Sequence, residues 1–169
     1  MNVAFYEHGP AESPPLILSS SLGTTSEMWD PQLDALAARF RVITYDHRGH
    51  GGSPVPDGPY TLADLGGDVI ELMDSLELER ADFAGISLGG MVGMWLAVNA
   101  PERVRRIALL CTFAQVTEPS FWHERAAANQ PTGPNSGAAR ARRPERAGYR
   151  GSAPPRPAAA QPARPRQSA

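Results

Sequence analysis

A chain of 169 residues with a formal net charge of −2 is long enough for one domain with a hydrophobic core. That average hides a break in composition. Residues 1–128 have ordinary apolar content and a net charge of −9, whereas residues 129–169 lack Leu, Ile, Val, Met, Phe, Trp and Cys and carry +7. We expect no signal peptide, membrane span or intramolecular disulfide, and therefore a cytoplasmic protein, because no suitable apolar segment exists and Cys111 is the single cysteine.

Strands and helices alternate along the first 128 residues. Short apolar runs predict strands at residues 3–6, 16–18, 42–45, 81–84 and 104–111. Asp30-Pro31 predicts an N-cap and the first residue of a helix, and Thr61 with Asp64 predicts a capping box at the start of the next one. A third helix is predicted over Leu88–Asn99. This order predicts an α/β fold with a mostly parallel sheet and flanking helices, with chemistry at the carboxyl ends of the strands.

The most specific motif is Gly85-Ile86-Ser87-Leu88-Gly89, which lies between a predicted strand and a predicted helix. In this setting a G-x-S-x-G pentapeptide forms a nucleophile elbow, whose tight turn needs glycine at the flanking positions and lifts the serine hydroxyl out of the sheet. The alternative is a glycine-rich turn with an idle serine. Cys111 ends an apolar run, and we expect it to be a buried structural thiol.

Four segments together resemble one family in its own order. They are Ser20-Ser21-Leu22-Gly23-Thr24 with Met28-Trp29, Asp46-His47-Arg48-Gly49-His50-Gly51-Gly52-Ser53, the elbow with Gly90-Met91, and Asn99-Ala100-Pro101-Glu102-Arg103-Val104. The chain thus resembles the α/β-hydrolase superfamily and, within it, the 3-oxoadipate enol-lactonases of bacterial aromatic catabolism. The resemblance covers residues 1–128 and implies an α/β-hydrolase fold that lacks its later strands and cap. It also implies a small-molecule ester or lactone substrate.

The resemblance implies roles for three residues. Ser87 matches the nucleophile that attacks the substrate carbonyl to form an acyl-enzyme. The backbone N–H groups of Leu88 and Leu22 match the two donors of the oxyanion hole, in which leucine is acceptable because only its amide is used. The alternative is that both leucines are ordinary turn residues.

The remaining catalytic residues of the family are not matched. The order of the triad is Ser, then Asp or Glu, then His, and after Ser87 the chain contains one histidine, His123. The carboxylates after Ser87 are Glu102, Glu118, Glu124 and Glu145. His123 lies where the cap should begin, Asp46 matches no triad position, and His47 and His50 are expected to be structural or to lie at the rim of the pocket. We expect impaired activity, and an open, aggregation-prone edge at strand 104–111.

Residues 129–169 contain eight prolines and eight arginines with almost no apolar side chain, so we expect this segment to be disordered. Three interpretations of this segment are open: a basic binding arm, a plain disordered appendage, or the product of GC-rich DNA translated out of frame. Out-of-frame translation of such DNA would yield mainly Arg, Ala, Pro and Gly. We favour the frameshift. Nucleic-acid binding is not expected, because no regular repeat and only one aromatic residue, Tyr149, accompany the arginines.

No cofactor is expected, since hydrolysis needs only water, and no His, Cys and Asp cluster has metal-ligand spacing. Two other functions stay open. One is a related esterase, acyltransferase or haloperoxidase-like hydrolase, and the other is a non-catalytic hydrolase remnant that binds through its basic segment.

Overall fold

Five strands form one sheet in the computed structural model, which describes residues 3–115, Ser120 and Glu124. The strands are β1 (Phe5–His8), β2 (Pro15–Ser19), β3 (Arg41–Tyr45), β4 (Ala81–Ile86) and β5 (Val104–Leu110), and their order in the sheet is β1-β3-β2-β4-β5. The strands β2, β3, β4 and β5 are mutually parallel, and β1 pairs antiparallel with β3. The mostly parallel sheet expected from the sequence is confirmed.

The flanking helices are α1 (Asp30–Ala37), α2 (Leu62–Ser75) and α3 (Leu88–Asn99), with short 3-10 helices at Ser26–Trp29 and Pro101–Arg103. The expected start of α1 is wrong by one residue. Asp30 is already helical and the N-cap is Trp29, because the 3-10 helix runs directly into α1 and supplies its first turn. The capping box of α2 is confirmed: the Asp64 N–H donates to Thr61 Oγ1, and the Thr61 N–H donates to Asp64 Oδ2 at 2.8 Å.

Apolar side chains cover both faces of the sheet, as a parallel sheet between helices requires. One cluster joins the sheet to α2 and α3; its buried members include Ile17, Ile43, Tyr45, Phe83, Leu65, Val69, Leu72, Met73, Val92 and Leu96. The other cluster lies under α1 and consists of Leu16, Leu18, Val42 and Trp29, with Leu33, Leu36 and Phe40 packed against it. Adjacent residues of a strand therefore enter opposite cores, which is the period of two that strand geometry imposes.

Strand β5 lies at the edge of the described sheet, where β4 is its one neighbour. Ile107, Leu109 and Leu110 are 37%, 42% and 40% exposed, so apolar side chains face solvent on both sides of this strand. The edge expected from the sequence is confirmed for the part of the chain described here. The expected burial of Cys111 is wrong: the strand ends at Leu110, and Cys111 turns out of the sheet with φ +44° and is exposed.

Candidate active site

Ser87 occupies a single-residue turn between β4 and α3. Its backbone has φ +54° and ψ −114°, a region that residues with a side chain rarely adopt, and its side chain is half-buried. The strain is typical of a functional position whose surroundings hold it in place. The predicted nucleophile elbow is therefore present in its geometry, at the carboxyl end of strand β4.

Two glycines make this turn possible. A Cβ atom on Gly85 would lie 2.2 Å from the carbonyl oxygen of Gly89, and a Cβ atom on Gly89 would lie 2.2 Å from the carbonyl oxygen of Ser19. Both distances are far inside van der Waals contact. The two glycines of the motif are thus required for different steric reasons. Gly85 allows β4 and the first turn of α3 to approach each other, and Gly89 allows α3 to approach the end of β2.

The last residue of β5 and the segment that follows it hold the elbow from the other side. The Ser87 N–H donates to Leu110 O at 3.0 Å, and the Thr112 hydroxyl donates to Ser87 O at 2.8 Å. Ser87 O also accepts from the Met91 N–H at 3.1 Å. Because both polar backbone groups of Ser87 are bonded, the strained conformation is fixed on either side of the side chain.

The turn after β2, residues 20–24, lies beside the elbow and is called the β2 turn. Its Ser20 carbonyl oxygen accepts from the Gly89 N–H at 3.1 Å, a bond between the β2 turn and the first turn of α3. Leu88, one residue earlier, provides the first N–H of α3, which has no partner inside a helix. The β2 turn and the start of α3 therefore meet next to Ser87.

The amides of the β2 turn are used unequally. Ser21 N–H donates to Met28 Sδ at 3.3 Å, Gly23 N–H to His50 Nε2 at 2.9 Å, and Thr24 N–H to Ser21 O at 3.3 Å. Between them, Leu22 N–H donates to none of the residues that the structure describes. The Leu22 side chain is 47% exposed. Among the amides of residues 21–24, that of Leu22 is thus the one without a partner in the described part of the chain, and it is the donor that the sequence resemblance implies.

The direction of this donor is set by the peptide plane that it shares with Ser21 O. The two bonds of a trans peptide plane point in opposite directions. Ser21 O is bonded to the N–H of Thr24 and, at 2.8 Å, to its hydroxyl. Leu22 N–H therefore points away from the interior of the turn.

Asp46 lies at the end of β3 and organises the glycine-rich turn that follows. Its Oδ1 accepts from Ser26 N–H at 2.7 Å, its Oδ2 from Gly52 N–H at 2.9 Å, and its backbone oxygen from the Ser53 hydroxyl. Both carboxylate oxygens are occupied by backbone donors of two different loops, and the side chain is buried. Asp46 thus has a structural role, in agreement with its place outside the triad.

A buried polar network lies beneath the β2 turn. The hydroxyls of Ser19 and Tyr45 are 2.7 Å apart, and His47 Nε2 lies 3.1 Å from Ser20 O, an acceptor, so Nε2 carries the ring proton. His47 Nδ1 and Ser20 Oγ are buried without a hydrogen-bond partner among the described residues. Burial lowers the pKa of His47 to about 4 and raises the pKa of Tyr45. Both side chains are therefore neutral at pH 7, which is consistent with a structural role and not with that of a catalytic acid.

Arg48 connects the same glycine-rich turn to α2. Its guanidinium forms two hydrogen bonds of 2.7 Å to the carboxylate oxygens of Asp68 and one of 3.0 Å to Asp64 O, and it lies over the Tyr60 ring. The Asp68 side chain is 3% exposed. The hydrogen bonds with Asp68 raise the pKa of Arg48, so the guanidinium stays charged.

The general base is the part of the site that these residues do not supply. The Ser87 hydroxyl forms no hydrogen bond with any residue of the described ranges. Glu102 precedes β5, at the amino end of the parallel strands, whereas Ser87 follows the carboxyl end of β4. His123, Glu118, Glu145 and the predicted segment 129–169 lie outside the described residues, as does the domain boundary at residue 128.

Two side chains of the site, Met28 and Thr112, had no role predicted from the sequence, and they hold the β2 turn and the elbow. His50, expected to be structural or to lie at the rim of the pocket, accepts from the β2 turn. Met28 and His50 stand inside the segments that resemble the family, but nothing in their local pattern gives a partner. Thr112 has no sequence signal of its own.

The described residues contain no group of three His, Cys, Asp or Glu side chains that could hold a metal ion. Within the same part of the chain, none of the helices is both long enough and apolar enough to span a bilayer.

Comparison with known proteins finds one family model, described as the alpha/beta hydrolase fold, that matches residues 14–147. The match runs past residue 128, the predicted domain boundary. The chain is 46% identical over 118 residues to 3-oxoadipate enol-lactonase 2 of Acinetobacter baylyi, covering 70% of this chain and 44% of that protein. It is 42% identical over 112 residues to a putative carbamate hydrolase of Variovorax paradoxus, covering 65% of this chain and 42% of that protein.

Solved structures give the same result. The enol-lactonase of Burkholderia xenovorans superposes with a TM-score of 0.72 at 45% identity, over 74% of this chain and 49% of that one. A hydrolase of Pseudomonas aeruginosa superposes with the same TM-score at 56% identity, over 75% of this chain and 48% of that one. The chain spans about half the length of the curated relatives it matches.

Proposed function

The chain belongs to the α/β-hydrolase family, and on that premise we propose that Ser87 is the nucleophile of a carboxylic-ester or lactone hydrolase. The substrate that we propose is an enol-lactone of the 3-oxoadipate type. Its support is the identity of 46% and 40% to two enol-lactonases of Acinetobacter baylyi and of 45% to the Burkholderia enzyme. The expected compartment is the cytoplasm, and the reaction needs no cofactor.

One observation carries the proposal. Of the amides of Ser21, Leu22, Gly23 and Thr24, that of Leu22 alone donates to none of the described residues, and it sits in a turn bonded to the helix that starts at the strained serine. Leu88 supplies a second N–H at the same place. Preorganised donors of this kind stabilise the charge that develops on a carbonyl oxygen under attack, by roughly 3–4 kcal/mol for a single donor.

The reaction has two halves. In the first, a bond forms between Ser87 Oγ and the lactone carbonyl carbon, the hydroxyl proton passes to a base, and the oxyanion binds to the amides of Leu22 and Leu88. Collapse breaks the ring C–O bond, and the enol oxygen leaves with a proton. In the second half, water attacks the ester carbonyl and regenerates the serine.

The general base that would accept the Ser87 proton is a separate question from the identity of the nucleophile. His123 is the one imidazole after Ser87 in the sequence, and its position resembles the start of a cap and not a triad histidine. Without its histidine, a triad enzyme loses on the order of 10⁶ in turnover and keeps roughly 10³–10⁴ over water. We therefore propose that this polypeptide turns over slowly and that its elbow still reacts with activated electrophiles.

A fluorophosphonate probe tests the nucleophile directly. Attack by Ser87 Oγ on phosphorus expels fluoride, and we expect one modification, located at Ser87 by mass spectrometry. Ser87→Ala should not be labelled, and Ser75→Ala, an exposed serine at the end of α2, should be labelled at the rate of the unmodified protein. A folded protein, by circular dichroism, that stays unlabelled would contradict the proposal.

The substrate class is tested on the same samples. Hydrolysis of an enol-lactone, of 4-nitrophenyl acetate and of a simple carbamate is compared, with Ser87→Ala as the blank. We expect the enol-lactone to have the highest kcat/KM. Preference for the carbamate would instead favour the activity named for the Variovorax relative, and equal low rates for all three would restrict the conclusion to a general esterase.

A further inference from the structure

His50 bonds two loops that are far apart in the sequence. Its Nε2 lies 2.9 Å from Gly23 N, and its Nδ1 lies 3.1 Å from Arg48 O. Because Gly23 N–H is a donor, Nε2 must be unprotonated, and because Arg48 O is an acceptor, Nδ1 must carry the proton. One neutral tautomer satisfies both contacts, and it is the opposite of the tautomer that His47 adopts.

The bond acts on a particular peptide plane. Gly23 N–H shares its plane with Leu22 C=O, and Leu22 N–H belongs to the plane before it, which Thr24 holds through Ser21 O. The two planes that flank Leu22 Cα are thus fixed by different side chains. Without His50, the second plane has no hydrogen bond that orients it among the described contacts, and the dihedral angles of Leu22 become free to change.

Neighbouring residues hold the His50 ring in place. His50 packs edge-on against His47, with 6.1 Å between ring centroids, and the guanidinium of Arg48 is turned away into its bonds with Asp68. The ring sits in a turn that is itself fixed, because His50 N–H donates to His47 O and Ser53 N–H to His50 O. A rigid acceptor is therefore held against the β2 turn.

We propose that His50 is a positioning residue: by fixing the plane that Gly23 N–H shares with Leu22 C=O, it maintains the turn in which the bonds from Thr24 to Ser21 O direct Leu22 N–H towards the substrate oxyanion. The inference rests on the proposed function, because it assumes that Leu22 N–H binds the oxyanion. It does not depend on which ester or lactone is the substrate. His50 itself touches no reacting atom.

Three variants separate positioning from packing. His50→Phe keeps a flat ring and removes the acceptor, His50→Gln keeps an acceptor oxygen at a similar distance from the backbone, and His8→Phe is the matched change in β1. Two readouts are taken on the full chain. Amide hydrogen exchange and the amide resonance of Gly23 report the bond, and the rate of fluorophosphonate labelling of Ser87 reports the oxyanion site.

We expect His50→Phe to speed exchange at Gly23 at least ~10-fold and to slow labelling by about 10- to 100-fold, because a small misplacement of a catalytic group has effects of that size. His50→Gln should recover both readouts to within about three-fold, and His8→Phe should change neither. Nitrogen-15 spectra of the unmodified protein should show His50 protonated at Nδ1. Thermal unfolding identifies any variant that has simply lost its fold.

Each outcome decides between the two proposals. Unchanged Gly23 exchange in His50→Phe overturns the inference, as does faster exchange with unchanged labelling, since the bond then positions nothing. Equal loss of labelling in His50→Gln and His50→Phe also overturns it, because an acceptor would then not be what matters. If the unmodified protein is not labelled at all, the proposed function fails, and the exchange data still show whether the bond exists.

Discussion

The hydroxyl of Thr112 donates a hydrogen bond of 2.8 Å to the carbonyl oxygen of Ser87. This bond joins the strained turn that presents the serine to the segment that leaves the exposed edge strand β5. A Cβ atom on Gly90 would lie 2.6 Å from Thr112 Cβ, so the threonine is also packed against the first turn of α3. The geometry of the elbow therefore depends on a residue that follows it by 25 positions.

Thr112→Val removes this bond and keeps the shape of the side chain. We expect the free energy of unfolding to fall by only about 1 kcal/mol, because Ser87 O keeps its bond with Met91 N–H and is not left without a partner. Labelling of Ser87 should slow several-fold in parallel. Urea unfolding and labelling rates are the measurements, and Thr112→Ser, which keeps the hydroxyl, should stay close to the unmodified protein in labelling rate.

Gly89→Ala should be far more harmful than its size suggests. The added methyl group would lie 2.2 Å from Ser19 O, and a backbone oxygen of a central strand cannot move aside. We expect a loss of roughly 3 kcal/mol, at the upper end of the range for overpacking. Gly67→Ala in α2 is the matched control: nothing lies within 4 Å of its Cβ position, so we expect it to stabilise the helix by up to ~1 kcal/mol. Similar stabilities for the two variants would contradict the prediction.

Asp68→Asn tests the ion pair between the glycine-rich turn and α2. The two oxygens of Asp68 accept from Arg48 at 2.7 Å each, and its side chain is 3% exposed, so removing the charge leaves the guanidinium dependent on the longer ion pair with the exposed Asp64, at 3.4 Å. We expect a loss of about 3 kcal/mol in chemical denaturation. The same substitution at Asp74, which is 63% exposed and pairs with Arg103, should cost less than ~1 kcal/mol. Equal losses would show that burial does not matter here.

His47 should make stability fall in mild acid. Burial lowers the pKa of His47 in the folded protein to about 4, whereas the unfolded chain has the ordinary value near ~6.5. Between these values the unfolded state binds more protons, so stability is full above pH ~6.5, declines as the pH falls, and stops declining on this account below the folded pKa. The total is on the order of 3 kcal/mol.

The measurement compares the slope of the unfolding free energy between pH 7 and pH ~4.5 in three proteins, because carboxylates contribute to all of them alike. His47→Gln should have the smaller slope, whatever its absolute stability. His8→Gln is the control for replacing a histidine outside this buried network. An unchanged slope in His47→Gln would mean that the His47 ring takes up its proton as readily in the folded protein as in the unfolded chain.

Much of the fold was predictable because its signals are local. Residues within a few positions of one another predict each of these elements: the capping box at Thr61, the helix after Ser87, and the strands whose carboxyl ends carry the site. The wrong predictions concern residues whose environment depends on the tertiary structure and not on the local sequence. Cys111 has the apolar context of a buried residue, yet it is exposed because β5 ends at Leu110 and the chain turns out of the sheet at Cys111.

By itself, the sequence determined the parallel α/β sheet, the elbow at Ser87 and the glycines that the turn requires, since sterics and hydrophobic period act along the chain. Only the tertiary structure decided that, among the amides of residues 21–24, that of Leu22 has no partner in the described part of the chain, and that His50 accepts from the N–H of the adjacent peptide plane. The reason is that a hydrogen bond between loops depends on where the strands deliver their ends, and His50 and Gly23 are 27 positions apart.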